Sequence, residues 1–230
     1  MSTRRFLHAV LIALACVQMG SGKSSCQVMH DDPSKDPDAL PAPVQSFSDN
    51  FSGGLTFWRG AIPDAPGLDI TMGNPVPSMQ VGSAALRPTG AVTLATFDFS
   101  QGLVLEADIF YEAASPPPAA APSLWVGLSP TVDPTTTPEL AAGQYIDTVG
   151  TIHFQVNGVD VGATTAPLTG QWHRISTTIR TDGQVEFRLN GSLLGTGGQI
   201  NSSYNGYPMK VGGDGYPERP KIDNVSVHKP

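Results

Sequence analysis

Apolar and polar residues alternate along most of the chain from Ser46 onward, and this period of two indicates β-strands. The clearest case is LVLEADIFYE, residues 103–112, in which five alternate positions are apolar. The other face carries Glu106, Asp108 and Glu112 among Val104 and Phe110. Because side chains alternate between the faces of a strand, we expect one buried face and one solvated, acidic face.

Turn residues separate these apolar runs at short intervals. Asn157-Gly158 and Asn190-Gly191 each join two strand-like runs, and this dipeptide favours the type I′ turn of a hairpin. Asp182-Gly183 marks another turn, and KIDNVSV is a final strand. About a dozen short strands without a convincing helix predict an all-β fold, a sandwich or jelly roll of two antiparallel sheets.

Composition supports this fold class and excludes some partners. The 230 residues include 25 glycines and 21 prolines, which suit tight turns and oppose long helices. The net charge of −7 argues against nucleic acid, because binding to phosphates needs a basic surface. It also provides no electrostatic attraction to anionic lipid.

The N-terminus has the pattern of an export signal. Arg4 and Arg5 precede the apolar run FLHAVLIALA, which is too short to span a bilayer but typical of a signal peptide. The following letters, IALAC, resemble a bacterial lipobox, which implies that Cys16 is lipidated and becomes the mature N-terminus. Ala13 and Ala15 also satisfy an A-x-A cleavage site. Two locations therefore remain open for the exported protein: lipid-anchored in the cell envelope, or freely extracellular.

Residues 17–43 separate the signal, residues 1–16, from the β-rich region. They are rich in Gly, Ser, Asp and Pro and have no hydrophobic period, which predicts a disordered tether. The folded domain is therefore expected at residues 44–230. It contains neither of the two cysteines, and no further apolar run approaches the 18 residues of a membrane span.

One C-terminal block carries a family resemblance. GQWHRI followed by DGQVEFRLNG is similar to a block of the concanavalin A-like lectin/glucanase domains, which include laminin G-like modules. The opening DNFSG…W, the strand LVLEADIFY and the closing IDNVSV are similar to the first, middle and last strands of that superfamily. The resemblance covers residues 47–227 and implies a jelly-roll sandwich with one concave face, in which Trp58 and Trp172 pack in the core. It does not fix a function, because the superfamily contains lectins, hydrolases, lyases and adhesive modules.

The acidic strand is the nearest approach to a catalytic pattern. It resembles the E-x-D-x-(x)-E motif of laminarinase-like retaining glycosidases, but one extra residue precedes Glu112. Regular pleating places Glu106 and Glu112 about 20 Å apart at ~3.3 Å per residue, far beyond the ~5.5 Å of a retaining pair. Glu106 and Asp108, about 6.6 Å apart by the same rise, remain as acids for a glycan hydrolase or lyase. The preferred interpretation of both is a solvated strand face.

Two further kinds of site follow from side-chain chemistry. Concanavalin A-like sandwiches often hold calcium where the first and last strands meet, and here Asp49 and Asp223, with their neighbours Asn50 and Asn224, supply oxygens. This resemblance implies a structural calcium ion bound by Asp49 and Asp223. His153 and His173 have no second histidine at metal-binding spacing, so we expect both on the surface.

Aromatic residues outside the expected core are the candidates for sugar binding, because exposed rings stack on sugars and their polar edges bond hydroxyls. The preferred function is non-catalytic binding of polysaccharide or cell-surface glycan, with no nucleic-acid partner and membrane contact only through a lipid anchor. The alternatives are the hydrolase or lyase and a structural envelope protein without a small ligand. The candidate ligand-binding residues are Trp125, Tyr145, Tyr204, Tyr207 and Tyr216.

Overall fold

The structure of the chain is a computed structural model. The chain divides into two units, Met1–Ala39 and Leu40–Pro230, and every described residue belongs to the second. The expected signal peptide, Cys16, nearly all of the tether and Tyr216 lie outside the described residues. Among the residues described, no helix is long and apolar enough to cross a membrane. The described residues are 42–60, 66–82, 89–112, 122–130, 139–166, 168–213 and 220–230.

Fifteen β-strands and one short 3-10 turn, Ser202–Tyr204, make up the regular structure of the described residues. The strands are β1 Phe47–Asp49, β2 Trp58–Gly60, β3 Gly67–Asp69, β4 Ser78–Gln80, β5 Thr89–Phe97, β6 Leu103–Glu112, β7 Pro122–Leu128, β8 Ala142–Asp147, β9 Thr151–Val156, β10 Val159–Thr165, β11 Thr169–Ile179, β12 Gln184–Leu189, β13 Ser192–Gln199, β14 Tyr207–Gly213 and β15 Lys221–His228.

The strands form two antiparallel sheets. The eight-stranded sheet has the order β13-β12-β11-β6-β15-β4-β3, and β1 also pairs with β15. The seven-stranded sheet has the order β10-β9-β8-β7-β14-β5-β2. Strands distant in sequence are neighbours, as when the C-terminal β15 lies beside β6. The prediction of an all-β sandwich of two antiparallel sheets is therefore confirmed.

The core lies between the two sheets and follows the alternation predicted for the acidic strand. Phe154 of the seven-stranded sheet stacks on Phe187 of the eight-stranded sheet, with ring centroids 4.9 Å apart. Burying one such side chain stabilises the fold by roughly 1.5–3 kcal/mol. Trp58 is only 7% exposed, as predicted for a core residue. The inward positions of β6, each at most 1% exposed, are Leu103, Leu105, Ala107, Ile109 and Tyr111.

Both Asn-Gly hairpins have the backbone conformation that was predicted. The φ angles are 55° and 75° at Asn157 and Gly158, and 50° and 80° at Asn190 and Gly191. Two successive positive φ angles define the type I′ turn, which matches the twist of the flanking strands.

The faces of β11 differ from the prediction. Ile175 points into the core, so by alternation His173 also points inward and is only 5% exposed. Trp172 instead lies on the outer face of the eight-stranded sheet, half-buried, and packs edge-to-face on Phe110 with centroids 5.7 Å apart. The predictions of a core Trp172 and a surface His173 are both wrong, because residues 172 and 175 are three apart and cannot share one face of a regular strand.

Candidate functional site

Three neighbouring strands place a polar cluster on the outer face of the eight-stranded sheet. Because β6 turns Leu105 and Ile109 inward, Glu106 and Asp108 point outward. Strand register then sets Arg174 of β11 opposite Asp108, and Ser226 of β15 opposite Glu106. The cluster thus depends on the pairing of strands from three distant parts of the chain.

Arg174 binds both carboxylates of this cluster. Its Nη1 donates to Asp108 Oδ1 at 2.9 Å, and its Nη2 donates to Glu106 Oε2 at 2.8 Å. Nη2 also lies 3.3 Å from Ser226 Oγ. Burial alone would raise the pKa of Glu106, but the hydrogen bonds and charges of Arg174 and then His228 outweigh it and lower the pKa. Glu106 is therefore an ionised acceptor near neutral pH and cannot donate a proton as a general acid.

The two acids are less exposed than the sequence predicted. The exposed fraction of the side chain is 23% for Glu106 and 9% for Asp108. Asp108 also accepts a hydrogen bond from Asn224 Nδ2 at 2.8 Å. The expectation of a solvated acidic face is thus wrong for these two residues, since a cross-strand arginine and an asparagine amide replace water. The side chain of Glu112 lies outside the described part of the structure.

The carboxylates proposed to hold calcium accept hydrogen bonds from N–H groups. Asp49 accepts from the backbone of Phe51 and from Trp58 Nε1, each at 2.8 Å. Asp223, fully buried, accepts from the backbone N–H of Asn74 at 2.5 Å and of Asn224 at 2.7 Å. An N–H aimed at an oxygen opposes a cation along that direction, and no group of three metal-binding side chains occurs within the described residues. These donors fit a structural acceptor better than a calcium ligand, and calcium here stays a prediction.

Burial is also the main reason why the pKa of Asp223 is raised. The negative charges of Asp108 and Asp49 raise it further, whereas its two backbone hydrogen bonds lower it. The three carboxylates are therefore close enough to interact. Asn224 lies within β15 beside the loop at Asn74 and has a φ of +44°, a left-handed conformation that asparagine tolerates better than most residues.

A shallow groove of about 650 Å³ runs beside this cluster, between the loop after β1 and the sheet. Phe57 is 53% exposed on its wall, so an aromatic side chain faces the solvent there. A smaller groove of about 460 Å³ continues past Ser48 and Ser226 toward His228. The residues lining the main groove are Ser48, Asp49, Asn50, Ser52, Gly53, Phe57, Arg174, Asn224, Val225 and Ser226.

Of the predicted aromatic residues, the four that the structure describes do not line this groove. Trp125 is fully buried on the outer face of the seven-stranded sheet, where a Cβ at Gly212 would lie 2.5 Å from its ring. It is therefore not an exposed platform, contrary to the prediction. Tyr204 and Tyr207 do come together, with centroids 5.9 Å apart, but Tyr204 also packs against the core. Their role in ligand binding stays a prediction.

Tyr145 belongs to a separate cluster on the seven-stranded sheet. Its ring stacks on His153 at 4.4 Å, and its hydroxyl donates to Asp160 Oδ2 at 2.7 Å. Burial, then the hydrogen bond and charge of Asp160 and the charge of Asp147, raise the pKa of Tyr145 well above its usual value. His153 Nε2 lies 3.1 Å from Asp147 Oδ2. These groups satisfy one another, and one face of the Tyr145 ring is already covered.

Sequence reasoning missed Arg174 and Phe57. Arg174 lies two residues after Trp172 on β11, so both side chains point to the same face. Placing Trp172 in the core therefore meant that Arg174 was not considered for the outer face. Phe57 lies next to the core residue Trp58, and adjacent apolar residues give no indication of which one is exposed. The contact of Arg174 with Asp108 spans 66 residues and follows only from strand register.

Comparisons with known proteins match the fold. No family model and no curated protein matches this chain. Lectin II from Ulex europaeus matches with a TM-score of 0.58 and 9% identity over 81% of this chain and 99% of the lectin. The Emp47p carbohydrate recognition domain matches with 0.57 and 11% identity over 80% of this chain and 95% of that one. A Trypanosoma rangeli sialidase matches at 0.47 and 16% identity over 71% of this chain, which spans only 27% of the sialidase. The chain thus shares the β-sandwich fold of the Ulex europaeus lectin and the Emp47p domain.

Proposed function

We propose that this chain is a glycan-binding protein whose site is the groove beside β1 and β15. The observation that carries the proposal is the composition of the groove wall. Phe57 offers an exposed aromatic face, and Asn50, Ser52, Asn224 and Ser226 offer amide and hydroxyl groups around it. Sugars need this combination, because their C–H faces stack on aromatic rings and their hydroxyls bond to amides and hydroxyls.

The structural neighbours support the same class of ligand. Two proteins that share the fold over about four-fifths of this chain are named as a lectin and as a carbohydrate recognition domain. Identities of 9% and 11% do not carry a binding site from one protein to another. The groove therefore supports the proposal by its own chemistry, and the neighbours make a glycan a reasonable ligand for the fold.

Binding accounts for the groove better than hydrolysis does. Glycosidases pair an ionised carboxylate with a protonated one. Here Glu106 and Asp108 both bind the same guanidinium, and this contact stabilises the ionised form of Glu106. A purely structural envelope protein, the other alternative, gives no reason for an open polar groove with an exposed phenylalanine.

The exported location belongs to the same proposal. An N-terminal signal followed by Cys16 and a tether of low hydrophobicity would hold the sandwich away from a membrane surface. A glycan-binding domain at that position could attach the cell to polysaccharide, or attach the protein to its own envelope.

The test is a glycan array probed with the purified full chain and with two variants. Phe57→Ala removes the aromatic wall, and Leu193→Ala is the matched control because both side chains are 53% exposed. We expect the wild type and Leu193→Ala to bind the same glycans, and Phe57→Ala to bind them at least about tenfold more weakly, the loss of one stacking contact of ~1.4 kcal/mol. Absence of glycan binding in the wild type, or equal binding by Phe57→Ala, would overturn the proposal.

A further inference from the structure

The charge around the groove is unbalanced. Asp49 lines the groove, and Glu106, Asp108 and Asp223 accept hydrogen bonds from the lining residues Arg174 and Asn224. Arg174 is the one arginine or lysine among the lining residues that the structure describes. Lys221, on the same strand as Asn224, has its ammonium group 3.7 Å from Asp69. At neutral pH the groove therefore faces a local excess of negative charge.

The positive charge of Arg174 does not make the groove favourable for an anionic ligand. Its two terminal nitrogens already bind Asp108 and Glu106 at 2.9 and 2.8 Å, so a ligand carboxylate would compete with two resident carboxylates for the same guanidinium. Burial is the main cause of the raised pKa of Asp223, and the negative charges of Asp108 and Asp49 raise it further.

We infer that the groove prefers glycans bearing protonated amines, such as de-N-acetylated hexosamine polymers, over neutral glycans and over glycans bearing carboxylates. This inference rests on the proposed function, since it names the class of sugar that the same groove takes. The carboxylate of Asp49 in the groove lining, and those of Glu106 and Asp108 behind Arg174, attract an ammonium group in the groove. Phe57 can cover the apolar face of the ring. A uronate or sialate would instead meet repulsion from several carboxylates.

The expected size of the preference follows from Coulomb's law. One pair of unit charges about 6 Å apart in a water-like medium already changes an equilibrium constant about threefold. Since more than one carboxylate contributes, we expect an amine-bearing oligomer to bind at least about threefold tighter than its N-acetylated equivalent at low salt. The preference should shrink at about 0.5 M salt, because screening then acts over only a few ångströms.

The experiment is isothermal titration of the purified full chain with three hexamers of matched length. They are a glucosamine hexamer, the same hexamer fully N-acetylated, and a galacturonate hexamer, at about pH 5.5, where carboxylates of ordinary pKa are ionised. Glu106→Gln removes one charge but keeps an oxygen for Arg174. Glu186→Gln is the matched control, because Glu186 also pairs with an arginine on the same sheet, at 2.9 Å, but lies outside the groove.

We expect the order glucosamine, then N-acetylglucosamine, then galacturonate, with the amine preference reduced in Glu106→Gln and retained in Glu186→Gln. Phe57→Ala should weaken the binding of every hexamer that the wild type binds. Equal or tighter binding of a neutral or acidic glycan would overturn this inference and leave the proposed function standing. Failure to bind any glycan on the array would overturn the proposed function itself. An amine preference that persists at high salt, or amine binding that Phe57→Ala leaves unchanged, would overturn the inference because the charge or the groove would not be its cause. The salt series on the wild type decides the matter even if Glu106→Gln fails to fold.

Discussion

Replacing the buried histidine of β11 should change how stability depends on pH. His173 is 5% exposed, and its Nδ1 lies 3.1 Å from Asn190 Nδ2. The amide oxygen of Asn190 already accepts the backbone N–H of Arg174 at 2.9 Å, so the amide nitrogen must be the donor to His173. Nδ1 is therefore an unprotonated acceptor, and the ring proton lies on Nε2, which is buried without a partner among the described residues.

This geometry opposes the charged form of the ring. Protonating Nδ1 would set two donors against each other, and burial lowers the pKa of His173 below the ~6.5 of an unfolded histidine. Because the unfolded chain then binds the proton more readily, stability is complete above about pH 6.5 and falls as the pH drops toward the folded pKa. The slope reaches at most ~1.4 kcal/mol per pH unit for this one proton.

The assay is urea unfolding of the wild type, His173→Gln and His228→Gln at about pH 7.5, 6.5 and 5.5. Glutamine keeps an acceptor for Asn190 but does not titrate, and His228, whose side chain is 47% exposed, is the control. We expect His173→Gln to lose much less stability than the wild type between pH 6.5 and 5.5, a range that lies above the titration of ordinary carboxylates. A difference between the two that does not change with pH would refute this reasoning.

Five further predictions concern the core, the site, the anchor and calcium. Trp58→Ala should cost roughly 3–5 kcal/mol in urea unfolding. Trp172→Ala should cost at most about 2 kcal/mol, since it loses mainly an edge-to-face contact of ~0.5–1.5 kcal/mol. Reducing-sugar assays on β-glucans, galactans and xylans should show no turnover, and turnover abolished by Glu106→Gln would make the groove an active site. Cys16→Ser should move the protein from the membrane fraction to the soluble exported fraction, unless the wild type is already soluble. If calcium binds where the first and last strands meet, the melting temperature should be higher with calcium than with EDTA. An equal melting temperature in the two conditions would contradict a structural calcium site.

Local patterns were sufficient for the fold because each depends on a short stretch of chain. The alternation in LVLEADIFYE predicted which five residues of β6 point into the core, and two Asn-Gly pairs predicted two type I′ turns. Burial of one face and the φ preference of a turn are both properties of a few consecutive residues. The order of strands across each sheet is not such a property, since β6 pairs with β11 and β15 from the far end of the chain.

The site was harder to predict because it depends on which strands are neighbours in the sheet and on the register between them. In β11 the choice between Trp172 and His173 for the core cannot be made by hydrophobicity, which favours the tryptophan. It is settled by Arg174: if Trp172 pointed inward, so would the arginine, and an unpaired buried charge costs more than an exposed tryptophan. Because Arg174 lies opposite Asp108, its guanidinium contacts two carboxylates, those of Asp108 and Glu106, on the outer face. The same alternation therefore buries an uncharged histidine, leaves a tryptophan half-exposed and holds the acids of the groove in their ionised form. A one-residue slip of β11 would reverse all three, so the pH dependence of the core and the charge of the groove should be lost together in any variant that shifts this strand.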